Sequence, residues 1–215
     1  RLGETPLEIA AFLRHTPDLD KTVIGDYLGE RDEPMLSVMH AYVDAMDFTD
    51  QTLDEGIRKF LEGFRLPGES QKIDRLMEKF AERFCKQNPG EYKSADTAYV
   101  LAFSVIMLNT DAHNPQVKNK MTKEGFTRNN RGIDDGADLP REHLEDLYDR
   151  IVNNEIRMKD ENPTLLAQKA EMNAKDGASS FNRTMKDMSN RLGMDVLSQM
   201  MFGATKRQQM VDASG

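Results

Sequence analysis

Apolar residues recur along this chain at intervals of three and four. Met35, Val38, Met39, Tyr42, Val43 and Met46 form one such stripe, and Ile57, Phe60, Leu61 and Phe64 form another. That spacing gathers side chains on one face of an α-helix. Leu7, Ala10 or Ala11, and Leu13 follow Thr5-Pro6, a cap with proline at the first helical position. Thr22 to Leu28 predicts a short helix ended by Gly29, and Asp54 or Glu55 opens the helix that carries Phe60 and Phe64. After Leu66-Pro67-Gly68 the pattern restarts with Ile73, Leu76, Met77, Phe80 and Phe84, and Asn88-Pro89-Gly90 stops it. Asp96 to Asn109 is the most apolar helix. Met121 to Arg128 and Arg141 to Asn153 complete the series around the polar loop NNRGIDDGADLP. No alternating run of β-branched residues supports a sheet, so the expected class is all-α.

Near Asp160 the composition shifts. Residues 1–160 are expected to form one domain, and 161–215 a helical extension, either a linker or the start of a following regulatory region. Two weaker patterns there flank KDGASS, with Phe181, Met185, Met188 and Leu192 in register, then Val196, Leu197, Met200, Met201 and Phe202. Met and Phe at helical spacing usually pack; otherwise they offer a face to a partner or a lipid interface. Were this extension to cover a functional face, deleting it would raise activity.

Composition fits a helical protein with well-solvated surfaces, at 38% hydrophobic and 31% charged residues. A formal charge of −8 argues against nucleic acid as a partner, because phosphate binding needs clustered Lys and Arg. The single cysteine, Cys85, can make no internal disulfide and reads as an inert core thiol of a reducing compartment. AYVLAFSVIML, the longest apolar run, is shorter than the roughly 18 residues of a membrane span. Opening on Arg1 without a signal pattern, the chain reads as a piece of something larger.

Familiar chemistries are excluded one by one. Neither Gly132 nor Gly136 has the alternating oxygen ligands and the later glutamate of a calcium loop. His15, His40, His113 and His143 are scattered with no zinc spacing, so no metal site is expected. There is no GxxxxGK[ST] or GxGxxG cradle and no nucleophile elbow, so neither a bound nucleotide of the chain's own nor covalent catalysis is expected. Two features remain. Glu69 follows a Pro-Gly corner that would be tight as a type II turn with Gly68 at positive φ, aiming the next side chain outward. Taken alone, the acid could simply complement the dipole of the helix that begins at Ser70, worth about 0.3–1 kcal/mol. The helix Asp96 to Asn109 is apolar all round, hence either fully buried or buried on one side and adhesive on the other. Its polar end, NTDAHNP, would be hard to satisfy if buried, and an apolar groove beside a polar lip suits a protein partner.

These two segments carry a family resemblance. FRLPGESQKIDR and DTAYVLAFSVIMLNTDAHNP resemble the two signature motifs of the Sec-seven domain, the guanine-nucleotide exchange module for Arf-family small GTPases, and DKTVIGDYLGER and NNRGIDDGADLP support it. The resemblance runs from about Leu2 to Asp160, and VKNKM and NNEIRMKD are similar to the large, Golgi-acting, brefeldin-type members. It implies an elongated right-handed helical array with a hydrophobic groove and a protruding catalytic loop. The family's first helix precedes the TPLEIAAFL segment, which here follows only a few residues.

The resemblance also assigns roles. Glu69 matches the glutamic finger that enters the GTPase nucleotide site, opposes the β-phosphate of GDP and disfavours magnesium. Arg65, Pro67 and Gly68 shape the finger loop. Tyr99, Phe103, Ser104, Ile106 and Met107 line the groove for the GTPase switch regions, with Asp96 and Asn114 as polar contacts. Phe103, Ser104, Asp111 and Met121 match the site of brefeldin A, an interfacial inhibitor, although sensitive members carry tyrosine where this chain has Phe103. No cofactor of its own is implied: the chain acts on the partner's magnesium-GDP complex, in the cytoplasm and peripherally on Golgi or trans-Golgi network membranes, reached through a parent protein or through Arf. The alternative is a non-catalytic Arf-binding helical module, which would use the groove but not Glu69.

Overall fold

The computed structural model describes residues 5–115 and 117–157. Eight helices run through them: α1 (Pro6–His15), α2 (Lys21–Leu28), α3 (Met35–Asp44), α4 (Leu53–Phe60), α5 (Ser70–Gln87), α6 (Ala95–His113), α7 (Lys123–Asn129) and α8 (Arg141–Asn153). Among the described residues the only β feature is an isolated bridge between Asp134 and Ala137, so the domain is all-α, as the periodicity predicts. The expected extension 161–215, with its registers at Phe181 to Leu192 and Val196 to Phe202, lies outside the described residues.

Most helices start where a side chain can satisfy the first unpaired amides. Thr5 accepts from the Glu8 amide at 3.3 Å while Glu8 accepts from the Thr5 amide at 3.2 Å, a reciprocal box ahead of Pro6. Asp20 caps α2 through the Thr22 amide at 2.8 Å, Ser94 caps α6 through Thr97 at 3.3 Å, and Thr122 caps α7 through Gly125 at 3.0 Å. At α4, Glu55 accepts from the Thr52 amide at 2.9 Å.

The core centres on phenylalanine. Phe60 lies against Phe80 with ring centroids 4.9 Å apart and meets Phe64 edge-on at 5.0 Å, while Phe48 meets Phe80 at 5.3 Å. All four are fully buried. This cluster joins α4, α5 and the segments flanking α4, and it explains one departure from the predicted elements. α4 stops at Phe60, and Phe64 enters the core from a non-helical segment rather than by helical register. α6 is the central helix. It packs against α5, α4 and α8, and every side chain from Leu101 to Leu108 is buried. Full burial is thus the outcome for the middle of this helix, and its apolar circumference follows from having neighbours on several sides.

Polar groups tie the outer elements to that centre. Asp54, 3% exposed, accepts from Thr52 Oγ1 at 2.8 Å and from Arg150 Nε at 2.9 Å, with Arg58 3.8 Å away, which fastens α8 to α4. In the loop before α8, Asp134 accepts from the Lys93 amide at 3.0 Å and from Thr97 Oγ1 at 3.1 Å, binding that loop to the start of α6.

Candidate functional site

The segment between α4 and α5 is a braced corner. Phe64 anchors one end in the core, the Arg65 amide donates to the Lys21 carbonyl of α2 at 2.9 Å, and Pro67 is buried. Gly68 and Glu69 then emerge to solvent. The corner is not the type II turn expected. Gly68 is absent from the positive-φ residues, which among the described glycines are Gly90, Gly132 and Gly136. The backbone at Glu69 is extended, φ −101° and ψ 125°, where the chain enters α5.

Glu69 occupies the cap position of α5, yet its side chain caps nothing. Only its carbonyl serves the helix, accepting from Lys72 and Ile73 at 3.1 Å each. Its carboxylate has no hydrogen-bond or ion-pair partner among the described residues, so its part at the helix start is limited to the favourable field of the α5 dipole. The cation one turn along, Lys72, is engaged elsewhere: its ammonium lies 2.6 Å from Glu30 and 3.9 Å from Asp26, at the end of α2. The bond to Glu30 is the main reason the Lys72 pKa lies above its ordinary value, with a smaller contribution from Glu69.

Next to the first turns of α5 stands Tyr99 of α6. Its hydroxyl donates to Asp74 at 3.1 Å, and its ring meets Phe103 edge-on at 5.0 Å. Tyr99 is half-buried and Asp96 exposed, but Phe103, Ser104, Ile106 and Met107 are all buried, Phe103 to 2%. A groove lined by all five was expected; four of them have little exposed surface, and Tyr99 is the most accessible of the five.

At its other end α6 runs to His113, beyond the Asn109 limit expected, because its polar residues find internal partners. Asn109 pairs with both backbone groups of Ile156, at 2.8 and 3.3 Å, and His113 Nε2 lies 2.9 Å from the Ile151 carbonyl. Asp111 accepts from the Met121 amide at 2.7 Å, while Lys120 donates to the Asp111 and Asn114 carbonyls at 2.6 Å each. Tyr148 of α8 donates to the Met121 carbonyl at 2.7 Å. Of the four residues matched to the brefeldin site, Asp111 and Met121 are therefore in direct contact, with Ser104 two helical turns before Asp111 on the same side of α6.

The described residues hold no group of His, Cys, Asp and Glu arranged to bind a metal. Cys85 is half-buried rather than a core residue, with its thiol 3.7 Å from the Ser94 carbonyl and pushed up to about 11 by burial. Such a thiol is protonated and unreactive near neutrality. Sequence reasoning missed the partners that brace the corner, Lys21, Gly25, Glu30 and Lys72. Only the small residues one turn apart in GDYLG hint at a close approach, and nothing in the sequence says to what.

The Sec7 domain family matches residues 1–156. The Arabidopsis thaliana brefeldin A-inhibited guanine nucleotide-exchange protein 3 is 68% identical over 161 residues, which are 75% of this chain and 9% of that protein. The crystal structure of the Sec7p catalytic domain superposes with a TM-score of 0.68 at 57% identity, covering 70% of this chain and 79% of that one. A structure of ARF1-GDP bound to a Sec7 domain complexed with brefeldin A gives a TM-score of 0.66 at 40% identity, covering 73% and 79%.

Proposed function

The chain belongs to the Sec7 domain family, and on that premise we propose that it promotes GDP release and GTP loading on small GTPases of the ADP-ribosylation factor (Arf) family. The observation that carries the reading is Glu69, an exposed carboxylate at the tip of a braced corner with no hydrogen-bond or ion-pair partner among the described residues. A carboxylate carried into a nucleotide site repels the β-phosphate of GDP, competes for the lysine that holds the phosphates and lowers the affinity for magnesium. No covalent bond changes. The chain stabilises a nucleotide-poor GTPase, and thermodynamic linkage then requires that incoming nucleotide weaken the complex and free both proteins.

Reach and charge both matter for such a group. Arg65 and Pro67 hold the corner and Gly68 leaves the carboxylate uncrowded, while Tyr99 receives the GTPase switch regions, with Asp96 one turn before it and Asn114 at the far end of α6 as polar contacts. Phe103, Ile106 and Met107 continue the Tyr99 face of α6 at helical spacing, with Ser104 flanking it, and are assigned with Tyr99 to the GTPase contact. Brefeldin A would act at the Asp111–Met121 junction. The chain spans only 9% of the length of its plant relative, so membrane attachment at the Golgi or trans-Golgi network is assigned to a longer protein or to the GTPase. Among the described residues no helix is long and apolar enough to cross a membrane.

Release of a fluorescent GDP analogue from an Arf lacking its amphipathic helix tests the proposal. The chain is expected to accelerate release, Glu69→Asp to retain part of the effect and Glu69→Lys to abolish it. Equal rates for all three would refute the finger, and binding of nucleotide-free Arf without accelerated release would make the chain a non-catalytic Arf-binding module.

A further inference from the structure

α2 lies against the finger loop at a distance that only glycine permits. A Cβ on Gly25 would fall 1.7 Å from the Arg65 carbonyl oxygen and 2.9 Å from its carbon, where an ordinary carbon-oxygen approach is about 3.3 Å. The obstructing atoms are backbone and cannot rotate away. One turn later Gly29 makes a second close approach, with a Cβ there only 2.7 Å from Lys72 Cβ. Hydrogen bonds close the same seam. The Arg65 amide donates to the Lys21 carbonyl at 2.9 Å, Arg75 donates through Nε to the Gly29 carbonyl at 3.1 Å, and Lys72 pairs with Glu30 at 2.6 Å. The finger loop and the first turns of α5 are thus held, residue by residue, by one face of α2.

We propose that α2 is the buttress that sets the reach of the finger, with Gly25 as its positioning residue and the Glu30–Lys72 pair as its second fastening. Gly25 acts through the backbone of Arg65, four residues before Glu69. The pair has two effects. It holds the start of α5 against α2, and it keeps the Lys72 ammonium from swinging one helical turn toward Glu69, where it would neutralise the carboxylate that exchange requires. This inference rests on the exchange reading above.

The local view and the buttress view differ in sign at Gly25. Alanine is the better helix former, so an unobstructed Gly25→Ala change would leave the loop alone and stabilise the helix. Against the Arg65 carbonyl it must displace the finger loop, and an error of about 1 Å in a catalytic group costs up to about 100-fold in rate.

The experiment follows Gly25→Ala and Glu30→Gln in the full chain by three readouts: GDP-analogue release from Arf, affinity for nucleotide-free Arf, and hydrogen exchange of the Arg65 amide. For Gly25→Ala a loss of about 10- to 100-fold in release is expected, with affinity within about threefold and the Arg65 amide deprotected. Glu30→Gln has no steric cost at the surface and remains informative should the alanine variant not fold; its release should fall several-fold, and Lys72→Met in that background should restore part of it. Wild-type release rates in both variants would overturn the buttress, as would a parallel loss of release and affinity, which marks general damage. If the unmodified chain accelerates no release at all, the exchange reading fails, and the positioning role falls with it even if the Arg65 amide is deprotected.

Discussion

At the scale of single residues, Glu69 departs from the usual behaviour of an acid at a helix start. An acid at a helix start ordinarily spends its charge on the unpaired amides there, whereas this one leaves α5 to its own carbonyl and keeps its carboxylate exposed. His143 shows the opposite case, a titratable group consumed by packing. Its ring meets Tyr92 edge-on at 5.9 Å with Nε2 3.2 Å from the hydroxyl, and burial, partly opposed by Glu91, lowers its pKa from the ordinary 6.5. The fold therefore takes up a proton less readily than the unfolded chain. The stability that follows is fully present above pH 6.5 and is lost as the pH falls through that value toward the folded one. Urea midpoints at pH 7.5 and 5.5 should drop more for the unaltered chain than for His143→Gln; equal drops would show that His143 makes no contribution. The exposed acid was visible in the sequence because Pro-Gly punctuates locally, but the burial of His143 was not, since Tyr92 lies 51 residues away.

At the scale of elements, apolar stripes together with caps and breakers predicted the eight helices of the described residues, because a stripe at three and four residues gathers on one helix face that must be covered. Their ends were less legible. Phe64 continues the α4 register on paper, yet the chain leaves the helix after Phe60 and brings Phe64 into the ring cluster by another route. The cluster predicts where the domain is most sensitive. Phe80 contacts the rings of Phe48, Phe60 and Phe84, so Phe80→Ala should cost about 3–5 kcal/mol, as a lost aromatic side chain and the cavity it leaves usually do. Chemical denaturation would register this as a lower midpoint at unchanged slope. A loss below about 1 kcal/mol would mean that the site collapses to fill the space.

At the scale of the domain, a few long-range polar contacts decide how the helices close on one another. Asp54 binds Arg150 across 96 residues, and Arg58 of the same cluster donates to the Glu155 carbonyl at 2.9 Å, so α4, α8 and the segment after α8 share one fastening. Because Asp54 is buried and Arg150 only partly so, Arg150→Ala would leave a carboxylate short of its best partner at a cost of about 1–3 kcal/mol. Asp54→Asn with Arg150→Ala should then cost less than the sum of the single changes, and strict additivity in a double-mutant cycle would deny the coupling. The all-helical class, the eight helices, the exposed acid after Pro67-Gly68 and the family motifs could all be read from the chain, because each depends on neighbours within one or two helical turns. Folding alone settled that Phe103, Ser104, Ile106 and Met107 are packed inside, that Asp111 meets Met121, and that Gly25 presses on Arg65. Each of those depends on which helices become neighbours, and a linear pattern of apolar and polar positions says that a face will be covered without saying by what.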